Sequence, residues 1–93
     1  MDILKIKNYS ISEDLILRNS ENTLMVYNKE CGDMYEINDV GRDIFEKLMS
    51  LKPISLILHE LSEEYDVVVD DIIVDVTEFV LRMIDLGIIT IES

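Results

Sequence analysis

The segment from Asp70 to Gly87 constrains the fold of this 93-residue chain more than any other part of the sequence. Its apolar residues recur at helical spacing, and at about 100° per residue they fill one broad arc. They are Ile72, Ile73, Val76, Phe79, Val80, Met83 and Ile84. Gly87 follows in the position that often ends a helix. The pattern predicts a long amphipathic helix whose apolar face packs against the rest of the chain.

Val74 and Leu81 lie on the opposite side of this predicted helix, two turns apart, among Thr77, Glu78 and Asp85. A helix with a complete core face has no need of a second apolar spot, so the pair suggests that another molecule docks there. Two plainer interpretations stay open. The pair contacts a more distant part of the core, or it is exposed without function, since isolated apolar residues are common on protein surfaces.

Length and composition limit the chain to one small domain with an aliphatic core. Cys31 is the single cysteine, which excludes an intrachain disulfide and fits a reducing compartment. Asp2, Lys5 and Lys7 interrupt any early apolar run, so we expect no signal peptide. The longest apolar run, Leu24–Tyr27, is far shorter than a membrane span. We therefore expect a soluble cytoplasmic protein with no membrane partner.

Three segments ahead of the first helix have the composition of β-strands, and short polar turns separate them. The segments are residues 14–18, 23–28 and 34–37. Connections this short favour an antiparallel meander. Residues 1–12 form a lead-in that is either a short strand or an arm, and residues 13–93 form the domain proper.

Two further helices are predicted between the strands and the last helix. The first begins at Asn38 or Asp39 and is stopped by Pro53, and Ser55 caps the second. Their expected core residues are Val40, Ile44, Phe45, Leu48 and Leu51 in the first, and Ile57, Leu58, Leu61 and Tyr65 in the second. Residues 88–91 add a short extended segment at the end. The order predicts an α+β fold with a three-stranded antiparallel sheet followed by three helices.

Few residues of the chain suit catalysis. His59, the single histidine, lies between Leu58 and Glu60 in a predicted helix and is more typical of a surface position than of a general base. Cys31 has acidic flanks and no second cysteine nearby, which disfavours a reactive thiolate. The carboxylates come without histidine or cysteine at metal-ligand spacing. We predict that the protein is not an enzyme and holds no metal and no cofactor.

The net charge of −12 is concentrated in the last third of the chain. Residues 59–93 contain ten acidic residues and one basic residue, Arg82. Phosphate backbones repel such a surface, so we expect no nucleic-acid partner. The acidic surface either serves solubility or attracts a basic partner.

The predicted strand Met34–Ile37 closes the meander and should therefore lie at an edge of the sheet. Unpaired main-chain groups at an edge can accept a visiting strand, a mode known as β-augmentation. Together with the last helix, the edge would form a groove for an extended peptide. In the alternative interpretation, the N-terminal lead-in or the C-terminal segment covers this edge.

The ordered set of residues along the chain resembles the PqqD family, whose fold is also called the recognition element for precursors of ribosomally synthesised and modified peptides. The resembling residues run from about Leu15 to Thr90. They are Tyr35-Glu36-Ile37-Asn38, Gly41, Ile44, Leu61, Tyr65-Asp66-Val67, Asp75-Val76, Phe79-Val80 and Gly87-Ile88-Ile89.

The resemblance implies a winged-helix-like, non-catalytic module that binds the leader of a precursor peptide by strand addition. It also implies delivery to a modifying enzyme such as a radical SAM protein, a cyclase or a leader peptidase. On this basis the peptide-binding residues are Asp33, Met34, Tyr35, Glu36 and Ile37 on the strand, and Val74, Glu78, Leu81 and Arg82 on the helix. The sequence departs from the family at residues 53–58, where Ile54 and Leu56 are candidates for extra exposed apolar surface.

Other functions remain open at this point. A winged-helix transcription regulator would use the last helix for recognition, although its acidic residues would face a polyanion. The acidity also permits a small acidic anti-regulator or a protein that mimics DNA. The chain is either a monomer or a homodimer, since edge pairing or exchange of residues 1–12 could join two copies.

Overall fold

The computed structural model describes residues 2–92, with the side chain of Asn38 excepted. Within this range the chain forms five strands and three α-helices in a single α+β arrangement. A 3-10 turn over Ile3–Lys5 precedes the first strand. Met1, Ser93 and the predicted capping role of the Asn38 side chain lie outside what the structure describes.

The main sheet is the predicted antiparallel meander. It consists of β2 (Leu15–Asn19), β3 (Thr23–Asn28) and β4 (Met34–Asn38), in the order β2-β3-β4. Alternation along β3 buries Leu24 and Val26, while Met25 and Tyr27 point to the other face. The buried face meets the helices, and the opposite face is turned away from them.

The two ends of the chain form a second sheet. The lead-in becomes a strand, β1 (Asn8–Ile11), which pairs antiparallel with the C-terminal strand β5 (Ile89–Glu92). The extended segment predicted near the C-terminus is thus a strand with a partner. Ile3, Ile6 and Tyr9 belong to the buried core of the molecule. The predicted domain boundary after residue 12 stays a prediction.

The helices are α1 (Asp39–Met49), α2 (Ile54–Glu64) and α3 (Val69–Asp85). The apolar arc predicted for the last helix is confirmed, because its members are buried or pack against the core. The glycine signal is also confirmed. Gly87 has a φ of 75°, and the Ile88 N–H donates to the Met83 carbonyl at 3.0 Å, closing the helix end.

Several predicted core positions are wrong. Val40 is 44% exposed, because it lies in the first turn of α1 on the side away from the core. Leu51 is also exposed, since α1 ends at Met49 and Leu51 takes a φ of 58° in the turn that follows. Tyr65 is exposed as well, and its hydroxyl donates to the Asp43 carboxylate.

The predicted start of the second helix is also corrected. Pro53 precedes α2 at the capping position, and Ser55 lies inside the first turn without capping it. No side chain caps this helix. Instead, the Pro53 carbonyl accepts the main-chain N–H of Leu56 at 3.0 Å. Ile54 is buried in the core, contrary to its predicted exposure, whereas Leu56 is 41% exposed.

Tyr9 links the N-terminal strand to the helical layer. Its hydroxyl donates to the main-chain carbonyl of Lys52 at 2.5 Å, and burial raises the pKa of Tyr9 to about 12. The neutral phenol is the form that burial favours.

We expect Tyr9→Phe to lower the free energy of unfolding by about 1 kcal/mol, because the Lys52 carbonyl loses its donor. The raised pKa makes a second prediction. The contribution of Tyr9 is fully present below pH 10, the ordinary pKa of tyrosine, and is lost as pH rises toward 12. Urea unfolding of wild type and variant across this range measures both effects. A difference between the two proteins that does not shrink above pH 10 would contradict the assignment.

Candidate functional site

The outer edge of β4 is open. In the order β2-β3-β4, β4 uses one side to pair with β3 and leaves the other side at the edge of the sheet. The chain ends that were the alternative cover for this edge pair with each other in the second sheet. Over residues 2–92, therefore, no strand pairs with the outer side of β4, and its main-chain groups there are available.

A cleft runs along this edge, between β4 and α3, with a volume of about 230 Å³. Its walls combine strand residues with one flank of the last helix. They are Tyr35, Glu36, Ile37, Gly41, Phe79, Arg82, Met83 and Leu86. The cleft is therefore a trough of mixed polar and apolar lining beside an open sheet edge, with Arg82 as its one basic residue.

Gly41 allows the strand, α1 and α3 to approach each other closely at the cleft. A Cβ atom at this position would lie 3.1 Å from the Cγ2 of Ile37 and 3.2 Å from the Cε2 of Phe79. Such distances are shorter than ordinary van der Waals contacts between carbon atoms. Glycine therefore sets how far the Phe79 ring can lean toward the strand, and with it the shape of the cleft.

Tyr35 carries the polar chemistry at one end of the cleft. Its hydroxyl lies 3.3 Å from the Asp33 Oδ2, and the Cys31 Sγ lies 3.4 Å from the same oxygen. Partial desolvation, followed by the charge of Asp33, raises the pKa of Tyr35. The phenol thus stays protonated at neutral pH and donates its hydrogen bond to the carboxylate.

The structure brings together four of the predicted peptide-binding residues at the cleft: Tyr35, Glu36, Ile37 and Arg82. Asp33 does not line the cleft, but its carboxylate accepts the hydrogen bond of the Tyr35 hydroxyl. Met34 is 61% exposed and lies on the opposite face of the sheet, because side chains alternate along a strand.

The other predicted helix residues do not line the cleft. Val74 is 59% exposed, as expected, whereas Leu81 is only partly exposed. Leu81 follows Phe79 by two residues, which is about 200° around a helix, so it points to the far side of α3 from the cleft. Glu78 is exposed and also lies outside the cleft. A peptide role for Val74, Glu78 and Leu81 stays a prediction.

Sequence reasoning missed four lining residues as site residues: Gly41, Phe79, Met83 and Leu86. Phe79 and Met83 were assigned wholly to the core arc of the helix. A usable signal was their spacing from Arg82 and Leu86, since positions 79, 82, 83 and 86 form one stripe at helical spacing. The stripe starts at buried Met83 and passes through partly buried Phe79 and Leu86 to exposed Arg82, so it crosses from the core to the surface.

Residues 2–92 contain no helix that is long and apolar enough to span a membrane. Over the same range, no three His, Cys, Asp or Glu side chains gather in a way that would hold a metal ion.

Comparisons with known proteins give a family and a structure of similar fold. The family model described as "Coenzyme PQQ synthesis protein D (PqqD)" matches residues 20–89. A solved structure, "TbiB1 in Complex with the TbiA(beta) Leader Peptide", is similar to this chain with a TM-score of 0.81 and 17% sequence identity. The match covers 89% of this chain and 96% of the other. No curated protein matches the sequence significantly.

We expect Gly41→Ala to displace the Phe79 ring and the Ile37 side chain by a few tenths of an ångström, because the new methyl group meets both. Alanine gains about 0.5–1 kcal/mol over glycine within a helix, so the variant should remain folded. Methyl and aromatic NMR spectra measure the displacement, and Glu46→Ala, at an exposed position of α1, is the control. Unchanged resonances of Ile37 and Phe79 would show that the three elements are not in close contact.

Proposed function

Because this chain belongs to the PqqD family, we propose that it is a non-catalytic module that captures the leader segment of a ribosomally made precursor peptide and delivers it to a modifying enzyme. The observation that carries this proposal is the open edge of β4 beside the cleft that Phe79 and Leu86 help to line. The similar structure of TbiB1 is a complex with a leader peptide, which supports the same class of ligand for this fold.

The cleft supplies what strand pairing alone does not. A main-chain hydrogen bond contributes about 0.5–1.5 kcal/mol net, while ordering a flexible residue costs about 1–2 kcal/mol. A leader strand on β4 therefore needs additional binding energy from its side chains. Each apolar side chain buried in the cleft contributes roughly 1.5–3 kcal/mol. Two such side chains, on alternate positions of the leader, would make binding favourable.

The charges around the cleft favour a peptide over a nucleic acid. The solvent face of α3 exposes Asp70, Asp71, Asp75, Glu78 and Asp85, and these carboxylates repel phosphates. Arg82 lines the cleft and is the one lysine or arginine in residues 59–93. We propose that it pairs with an acidic residue of the leader, and that the surrounding carboxylates disfavour acids elsewhere along the peptide.

The partner enzyme remains a proposal by class: a radical SAM protein, a cyclase or a leader peptidase. Such enzymes act on newly made peptides, so we propose a cytoplasmic location. Leu56, exposed at the segment where the sequence departs from the family, is a candidate contact for the enzyme.

We expect a synthetic leader, encoded beside this gene, to shift the amide resonances of Tyr35–Ile37 and of the α3 cleft flank. Phe79→Ala should weaken the binding by about tenfold or more, since it removes an apolar wall of the cleft. Met49→Ala, at an exposed position two turns along α1 from Gly41, is the matched control. Val74→Ala, measured alongside, reports whether the far side of α3 also contacts the peptide.

Calorimetry gives the affinities, and thermal unfolding verifies that each variant is folded. If the leader leaves the β4 amides unmoved at high micromolar concentration, the proposed function is wrong. Full affinity in a folded Phe79→Ala variant would place the peptide outside the cleft.

We expect Arg82→Glu to lower leader affinity by about two- to fivefold, the range of an exposed ion pair. Replacing the paired leader acid by lysine should then restore binding to the variant and weaken binding to the wild type. Arg18→Glu makes the same change in net charge on the opposite face of the sheet and serves as the control. Equal losses in the two variants would indicate a general charge effect with no specific pair at Arg82.

A further inference from the structure

A second exposed surface lies on the face of the main sheet that is turned away from the helices. Strand alternation and register place two rows of side chains there. One row is Ile16, Tyr27 and Met34, and the other is Arg18, Met25 and Glu36. We call this the outer sheet face. Ile16 is 49% exposed and Met34 is 61% exposed, while Met25 and Tyr27 between them are partly exposed.

The charges on this surface are arranged symmetrically. Arg18 on β2 and Glu36 on β4 stand at the same height, one on each side of Met25 on β3. The outer sheet face is thus neutral in itself, although the chain as a whole has a net charge of −12. An apolar centre with one cation and one anion on opposite sides is complementary to its own copy.

We propose that the outer sheet face is a homodimer interface, formed by two copies related by a two-fold axis that runs along β3. This operation places β2 of one copy over β4 of the other. Arg18 of each copy then faces Glu36 of the other, which gives two symmetric ion pairs. Ile16 of each copy faces Met34 of the other. Met25 and Tyr27 each face the same residue of the second copy. Face-to-face packing of two sheets with nearly aligned strands is a common arrangement.

Other orientations of the second copy are less favourable. A two-fold axis across the strands places β2 over β2 and β4 over β4 of the second copy. Arg18 then faces either the other Arg18 or an apolar side chain, and Glu36 faces either the other Glu36 or an apolar side chain. Only the axis along β3 pairs both charges and keeps the apolar side chains together. Charge complementarity therefore selects one isologous geometry.

The size of the surface limits the strength of this dimer. Three paired strands, about five residues long in their shared register, cover about 14 Å by 17 Å, which is much less than the roughly 800 Å² that each partner buries in a stable complex. The dimer is therefore weak and forms at high protein concentration. The net charge adds repulsion, which physiological salt screens beyond about 8 Å. The outer edge of β4 remains open in this arrangement, so the inference does not rest on leader binding.

Charge reversal tests the proposal with the protein alone, in the absence of any peptide. Sedimentation equilibrium at physiological salt, from micromolar to millimolar concentration, should show a monomer–dimer equilibrium for the wild type. Arg18→Glu and Glu36→Arg should each weaken the dimer by about tenfold or more, because two ion pairs become two repulsions. Circular dichroism verifies that both variants are folded.

The decisive steps recombine the charges. An equimolar mixture of the two single variants should form a heterodimer, since both cross-pairs are again opposite in sign, and the double variant R18E/E36R should recover self-association. A wild type that stays monomeric at millimolar concentration would overturn the proposal, and the surface would then be free for another protein. Weakened single variants without recovery in the mixture would overturn the symmetric geometry. Neither result depends on whether a leader binds at β4.

Discussion

The antiparallel pairing of β1 with β5 is the interaction on which the rest of the structure depends. It joins the two ends of the chain into a sheet of their own, and the Ser12 N–H adds a bond of 2.9 Å to the Ile88 carbonyl. It also holds Ile3, Ile6 and Tyr9 in the core. Because β1 and β5 pair with each other, neither of them pairs with the outer edge of β4, which stays open. The edge strand is only five residues long and includes Glu36, features that limit unwanted edge pairing.

The apolar arc of α3 packs into the core at its centre and lines the cleft at its flank. Its centre, at Val76, Val80 and Met83, is buried in the core, while Phe79 at its flank is only partly buried and forms a wall of the cleft. The shape of the cleft is therefore set by the same packing that stabilises the domain. A side chain that entered the cleft would press against a wall fixed by the core, with little of the ordering cost that a mobile loop would impose.

The sequence was sufficient for the order of elements, because short polar turns separate the strand segments and the α3 arc has a strong helical period. It was insufficient where local geometry departs from an ideal helix. Leu51 fitted the period of α1, yet the helix ends two residues earlier, and periodicity carries no information on where a helix stops.

The site was half predictable for a similar reason. Tyr35 and Ile37 followed from the edge position of the strand, whereas Phe79 was hidden within a pattern that indicates only core. Val74 stood out on the helix, but its side of α3 is turned away from the edge strand, and only the packing angle of the helix decides that.

The main sheet presents two different surfaces through one strand. Tyr35 and Ile37 of β4 face the cleft, while Met34 and the side chain of Glu36 belong by alternation to the outer sheet face. A leader added along the edge would continue both surfaces, since its alternate residues enter the cleft and the remaining ones extend the row beside Met34 and Glu36. Peptide capture and self-association thus meet at β4 and at the row of Met34 and Glu36, while Phe79 belongs only to the cleft and Arg18 only to the outer sheet face. Changes at Phe79 should affect the first alone, and changes at Arg18, two strands away from the edge, should affect the second alone.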